Sequence, residues 1–163
     1  MISSVKKGKL LIIDDDLDVL QSLNMFLKHE FNEVILINNT QKISQVVKES
    51  NPDIILLDMN FSPGARSGNE GLFWLKKILN INPKAIVILL TAYGDLELAV
   101  KTIKEGATDF ITKPWDNDKL LTTLKAALKL SFSNQEISNL QLKQKQILQD
   151  IDKEHDILWG ESK

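Results

Sequence analysis

The chain has 163 residues, 43% hydrophobic and 26% charged, with seven Gly, four Pro and no Cys. That composition fits one packed domain with some chain over for a linker or helix and argues against a disordered or fibrous protein, while the lack of Cys excludes a disulfide scaffold, a cysteine-held metal site and a thiol nucleophile. Twenty basic residues against twenty-two acidic ones leave a net charge of -2, without the basic footprint of a domain that binds nucleic acid directly. Met1 to Lys9 holds no apolar run of signal-peptide length, and the longest apolar stretch, Ala85 to Leu90, is too short to cross a bilayer. The chain therefore reads as soluble, with no membrane partner, and the cytoplasm fits its lack of cysteine.

Short apolar runs alternate with amphipathic stretches, the pattern of successive strand and helix units. In chain order the expected strands are Leu10 to Ile13, Glu33 to Ile37, Ile54 to Leu57, Ala85 to Leu90 and Asp109 to Ile111. The expected helices are Val19 to Lys28, Gln41 to Glu49, Leu72 to Asn80, Leu96 to Glu105 and Asn117 to Lys129. The runs centred on Ile12, Ile55 and Val87 are apolar at consecutive positions, so both of their faces must be covered, as in a parallel sheet between two helix layers. Pro52 and Pro83 sit shortly before strands, and Gly106 follows Glu105 as a helix-ending glycine. The fold class is therefore α/β, a doubly wound five-stranded parallel sheet.

Ligands of open α/β sheets gather at the carboxyl ends of the strands. The first strand is followed by Asp14-Asp15-Asp16, the third ends in Asp58, the fourth in Thr91, and Lys113-Pro114 follows the fifth. Carboxylates crowded at one edge repel each other unless a cation sits among them, and magnesium, which takes oxygen ligands and keeps several waters, meets that need without His or Cys. His29 and His155 fall outside these loops and read as surface helix residues. Asp58 ends the run Ile-Ile-Leu-Leu, which places it deepest and makes it the best nucleophile for a phosphoryl group. Lys113 supplies a cation for the transferred oxygens, Thr91 a hydroxyl to bond them, and Ala92 leaves room. Taken singly these residues have plainer readings: Asp16 or Asp18 as a helix N-cap, Thr91 as a strand end, Lys113 as a solvated loop lysine.

As a set, Asp14-Asp15, Asp58, Thr91-Ala92 and Lys113-Pro114 closely resemble the receiver domain of two-component response regulators, over roughly residues 8 to 130. The resemblance implies a flavodoxin-like sheet of order 2-1-3-4-5 and a Mg2+ cofactor. It implies Asp58 as phosphoacceptor, Asp15 and Asp58 as magnesium ligands with the main-chain carbonyl of Asn60, and Asp14 as a ligand through water. It further implies Thr91 and Phe110 as a switch pair, a cis peptide at Lys113-Pro114, and a sensor histidine kinase as partner. On that reading the protein catalyses its own phosphorylation and dephosphorylation and is not a turnover enzyme. The surface of the fourth helix, fourth and fifth strands and fifth helix would carry the output. The segment Met59 to Gly71 departs from the family, being about five residues too long for the usual loop. Arg66 there is placed to shield or steer the phosphoryl group, or is an exposed turn residue, and Asn60 and Tyr93 are placed to tune its removal by water. Glycines 64, 68 and 71 lack the spacing and the following Lys-Ser or Lys-Thr of a nucleotide loop. The long loop is similar to that of receivers attached to sigma-fifty-four-dependent, nitrogen-regulatory-protein-C-like transcriptional activators.

From Asn117 onward there is no proline and the only glycine is Gly160, so one long C-terminal helix is expected to extend beyond the domain. Leu130, Ile137, Leu140, Ile147, Ile151 and Leu158 occupy a and d positions of one heptad frame, with Ser133, Gln144 and Glu154 as polar exceptions. A homodimeric coiled coil over 131–158 is the preferred reading, against an isolated helix packed on its own receiver or a frayed tail. Gly160-Glu161-Ser162 is similar to the start of the ATPase domain of those activators, so 159–163 is expected to begin a further, truncated domain. Two other functions fit the residues less well. A haloacid-dehalogenase-like phosphatase would use Asp14, Asp16, Thr91 and Lys113, but position 18 is Asp where that family has Thr or Val, Asp116 and Asp118 follow the lysine too soon, and Asp58 goes unexplained. A phosphorylation-independent dimerising module would leave the acceptor residues without a role.

Overall fold

The consecutive apolar runs become the middle of the sheet, because in an extended strand neighbouring side chains point to opposite faces and both faces here must be dry. The structure is a computed structural model and describes residues 7–59, 69–92 and 94–159, without the side chains of Asn69, Leu158 and Trp159. Its elements are β1 (Lys9–Ile13), α1 (Leu17–Leu27), β2 (Glu33–Ile37), α2 (Ile43–Ser50), β3 (Ile54–Asp58), α3 (Asn69–Ile81), β4 (Val87–Ala92), α4 (Leu96–Lys104), β5 (Asp109–Lys113) and α5 (Asn117–Trp159). The strands form one parallel sheet of order β2-β1-β3-β4-β5.

Alternation along each strand sends side chains into two cores. Leu11, Ile13, Ile55, Leu57, Val87 and Leu89 pack with Ile43, Val47, Leu75 and Ile78 of α2 and α3. Leu10, Ile12, Ile54, Leu56, Ile88 and Leu90 pack on the other face with Leu20, Leu23 and Leu27 of α1 and Leu120 and Leu124 of α5. Every residue of β3 is buried, whereas edge strand β2 is buried at Ile37 alone, which is why the central runs were legible as continuous and the outer strands weaker.

The boundaries differ from the expectations in a few places, each for a local reason. β4 begins two residues later than expected, since the Ala85 N–H bonds to Asn82 O in the preceding turn, and it runs on through Thr91 and Ala92. β5 likewise runs on to Lys113. Residues Thr40–Lys42 form a 3-10 turn ahead of α2, capped by the Asn39 side chain. α3 starts three residues earlier than expected, at Asn69, so the last part of the long segment after Asp58 is helical. His29 lies in the turn after α1 and not on a helix, while His155 is an exposed residue of α5.

The chain divides into two units, Met1–Lys129 and Leu130–Lys163. Of the second, the described part is helical, and its side chains at Leu130, Ile137, Leu140, Ile147 and Ile151 are 42–59% exposed. No helix among the described residues is long and apolar enough to cross a membrane.

Candidate functional site

Parallel strands all end at the same edge, so polar residues that follow or finish β1, β3, β4 and β5 are delivered to one place. Asp14 follows β1 and is fully buried; its backbone N–H donates to Ile37 O of β2 at 3.1 Å. Asp58 closes β3 opposite Leu90 of β4 and is 2% exposed. Lys113 closes β5 opposite Ala92, and its Nζ donates to Asp14 Oδ2 at 3.0 Å and to Asp58 Oδ1 at 3.2 Å. One ammonium group thus joins two carboxylates that lie far apart in the chain.

The remaining oxygen of Asp14 is also engaged, accepting from the Asp16 N–H at 2.9 Å. Asp16 in turn caps α1, its Oδ1 accepting from the Asp18 and Val19 N–H groups; of the two acids proposed as caps, Asp16 is the one. This chain of bonds turns the backbone sharply after β1 and leaves Asp15 half-buried beside the pair. One carboxylate oxygen from each of Asp14, Asp15 and Asp58 lies within 4.8 Å of the others, the one group of three or more such side chains among the described residues. An all-oxygen set of this kind suits a hard divalent cation that keeps water ligands. Burial, and then the charge of Asp14, push the Asp15 carboxyl above the ordinary aspartate range. Burial alone would lower the Lys113 ammonium, but the charges of Asp58 and Asp14 and their hydrogen bonds outweigh it and hold it above the ordinary lysine value.

Thr91 is buried at the end of β4, and its Oγ1 is the one buried side-chain polar atom among the described residues that has no hydrogen-bond partner. Such a group is costly in the state that leaves it unpaired. Phe110 is half-buried and packs against the core shared by Leu89 and Leu98. It pairs with Leu89, two residues before the Thr91–Thr112 pair, so by strand alternation Thr91 and Phe110 face the same side of the sheet. The Lys113-Pro114 peptide is cis.

The structure therefore brings together Asp14, Asp15, Asp58 and Lys113, with Thr91 one residue beyond Leu90, the partner of Asp58 on the neighbouring strand. Asn60, Arg66, Tyr93, Gly160, Glu161 and Ser162 lie outside the described residues. Sequence reasoning missed that Met59, immediately after Asp58, is itself fixed: it is fully buried, and its N–H donates to Leu90 O at 2.9 Å. It also missed Gly71, whose place in the third position of α3 puts it against Met59. The signal available was a glycine within a helix, where alanine is the favoured small residue.

Comparison with known proteins adds an independent finding. The family model described as "Response regulator receiver domain" matches residues 10–125. The transcriptional regulatory protein ZraR of Klebsiella oxytoca is 34% identical over 119 residues, 73% of this chain and 26% of that protein. A putative NtrX-like response regulator of Rickettsia bellii (strain RML369-C) is 36% identical over 138 residues, 84% of this chain and 28% of that protein. The chain thus spans about a quarter of the length of these curated relatives. Among solved structures, the N-terminal signal receiver domain of a two-component response regulator from Bacteroides fragilis is similar at 47% identity and a TM-score of 0.67, covering 74% of this chain and 95% of that one. NtrX from Brucella abortus is similar at 28% identity and a TM-score of 0.73, covering 82% of this chain and 29% of that one.

Proposed function

This chain belongs to the response regulator receiver domain family, and from that premise we propose that it is the phosphorylation-controlled input of a transcriptional activator of the NtrC, ZraR and NtrX kind. Phosphoryl transfer to Asp58 from a sensor histidine kinase, or from a small acyl phosphate, is the proposed input. The observation that carries this reading is the convergence of Asp14, Asp15 and Asp58 with the Lys113 ammonium at one sheet edge.

A carboxylate oxygen of Asp58 attacks phosphorus, an O–P bond forms, and the bond to the donor's nitrogen or oxygen breaks with its electron pair leaving on the donor. Asp15, Asp58 and the main-chain carbonyl of Asn60 are the proposed ligands of Mg2+, with Asp14, whose oxygens are already engaged, acting through water. When bound, the ion supplies positive charge for the transferred oxygens. Lys113 neutralises the same oxygens, and Thr91 offers them its unpartnered hydroxyl. Phe110, on the same side of the sheet, follows Thr91 inward and alters the surface of α4, β5 and α5. The protein acts on itself and has no external substrate to turn over.

The second proposed partner is another copy of this chain. An in-register parallel pair of C-terminal helices stacks Ile137, Leu140, Ile147 and Ile151 each on its own counterpart, and sets Gln144 against Gln144. The domain plan is accordingly a receiver over 8–130 and a helical linker over 131–158.

Incubation with acetyl phosphate and magnesium, followed by intact mass, is expected to add one phosphoryl group to the wild type and none to Asp58→Asn. Steady hydrolysis of a phosphomonoester that survives Asp58→Asn but not Asp14→Asn would instead favour a phosphatase.

A further inference from the structure

We propose that Gly71 is a positioning residue for the phosphoacceptor: lacking a side chain, it lets the first turn of α3 seat on the backbone of Met59 and so fixes the strand end that carries Asp58. A Cβ at residue 71 would lie 2.8 Å from Met59 Cα, 2.8 Å from its carbonyl oxygen and 2.8 Å from its Sδ, well inside the separation at which packed carbon atoms rest. Two of those three atoms are main chain and cannot swing aside. Among the described residues the positive-φ glycines are Gly8, Gly94 and Gly106, and Gly71 is not one of them. Space, and not backbone freedom, is therefore what position 71 demands. In a helix, alanine is otherwise preferred to glycine, so the residue here runs against local preference in favour of a close approach.

Met59 is held from its other side as well, by the hydrogen bond from its N–H to Leu90 O, next to Thr91. The residue after the acceptor is thus pinned between β4 and α3, while Asp58 itself is in register with Leu90. In sequence, residues 60–68 separate Met59 from the start of α3. The Gly71 contact bypasses all of them, so the placement of Asp58 is set by two packed elements and not by the length of the connecting loop. Alignment of an attacking oxygen is steep in its effect, with a displacement of about 1 Å costing on the order of 100-fold in rate.

The inference rests on Asp58 being the acceptor, and its test separates the two. Initial rates of phosphorylation by acetyl phosphate, Mg2+ affinity by tryptophan fluorescence, and thermal unfolding are measured for wild type, Gly71→Ala and Ile78→Val. Gly71→Ala is expected to fold, to slow phosphorylation by at least about 10-fold, and to weaken Mg2+ binding several-fold. Ile78→Val, on the buried side of the same helix, is expected to lower stability while leaving rate and affinity near wild type. Wild-type rate and affinity in Gly71→Ala, or equal losses in Ile78→Val at matched stability, overturn the proposal. If the wild type accepts no phosphoryl group the acceptor reading fails, and the Mg2+ titrations still decide the positioning role. Should Gly71→Ala not fold, Gly71→Ala/Met59→Ala, which removes the sulfur but keeps the backbone contacts, is expected to fold and remain slow. A fast double variant, or one that also fails to fold, overturns the proposal.

Discussion

Asp15 shows how a single side chain is set against the fold that holds it. Burial and Asp14 raise its pKa, so the folded state favours its protonated form. Its stabilising contribution is complete below the unfolded aspartate value of about 4 and is lost as pH rises through the raised one. At neutral pH the ionised carboxyl therefore costs stability. Asp15→Asn is expected to raise the melting temperature by a small amount, about 2 °C, in EDTA at pH 7, an effect that shrinks toward pH 3. Added Mg2+ should stabilise the wild type but not the variant, and differential scanning fluorimetry with and without the ion checks both. Asp14, Asp15, Asp58 and Thr91 were legible because each stands at the end of an apolar run, and Lys113 because it follows the last expected strand; parallel strands carry such ends to one edge. The partners of each oxygen were not legible: nothing in Asp14-Asp15-Asp16 says that Asp14 accepts from both Lys113 and the Asp16 N–H.

At the scale of elements, the joint between α4 and β5 depends on a residue with two constraints. Gly106 takes φ +116, where L side chains are strained, and a Cβ there would lie 2.6 Å from Leu79 Cδ1 of α3. Its N–H bonds to Ile103 O, closing the helix. Gly106→Ala is expected to cost about 2 kcal/mol, read as a lower urea midpoint at unchanged m. Strain in the backbone makes this loss larger than the contact alone, since Leu79 is a flexible chain end. The helix-ending role of Gly106 was readable from its place after Glu105, and its contact with Leu79 was not, because Leu79 belongs to another element. The same limit explains the late start assigned to α3. Asn-Glu-Gly has no apolar spacing to mark a helix, and the tertiary seat on Met59 decides it.

At the scale of the whole molecule, the sheet order followed from the resemblance and the two-sided core from the consecutive apolar runs. The exposed apolar side chains of α5 are what a single copy leaves unburied. Because the chain has no cysteine, Ser133→Cys gives one reactive thiol at a d position without disturbing the apolar layers. Under mild oxidation, with and without beryllofluoride and Mg2+, it is expected to form a disulfide-linked dimer if the helices pair in parallel and in register. A dimer by sedimentation that never crosslinks would mean another geometry, such as an antiparallel pair with residue 133 against Ile151. A monomer throughout would remove the seam from the functional account. Finally, the lone hydroxyl of Thr91 gives the unmodified protein a handicap of about 1–3 kcal/mol. Any conformer that supplies an acceptor is relieved of it, so the ratio of resting to alternative forms lies closer to balance, by about thirtyfold at the middle of that range, than a fully satisfied interior would allow. On the proposed reading of Thr91 as a switch, a phosphoryl oxygen that accepts its hydroxyl needs to supply only a modest nudge.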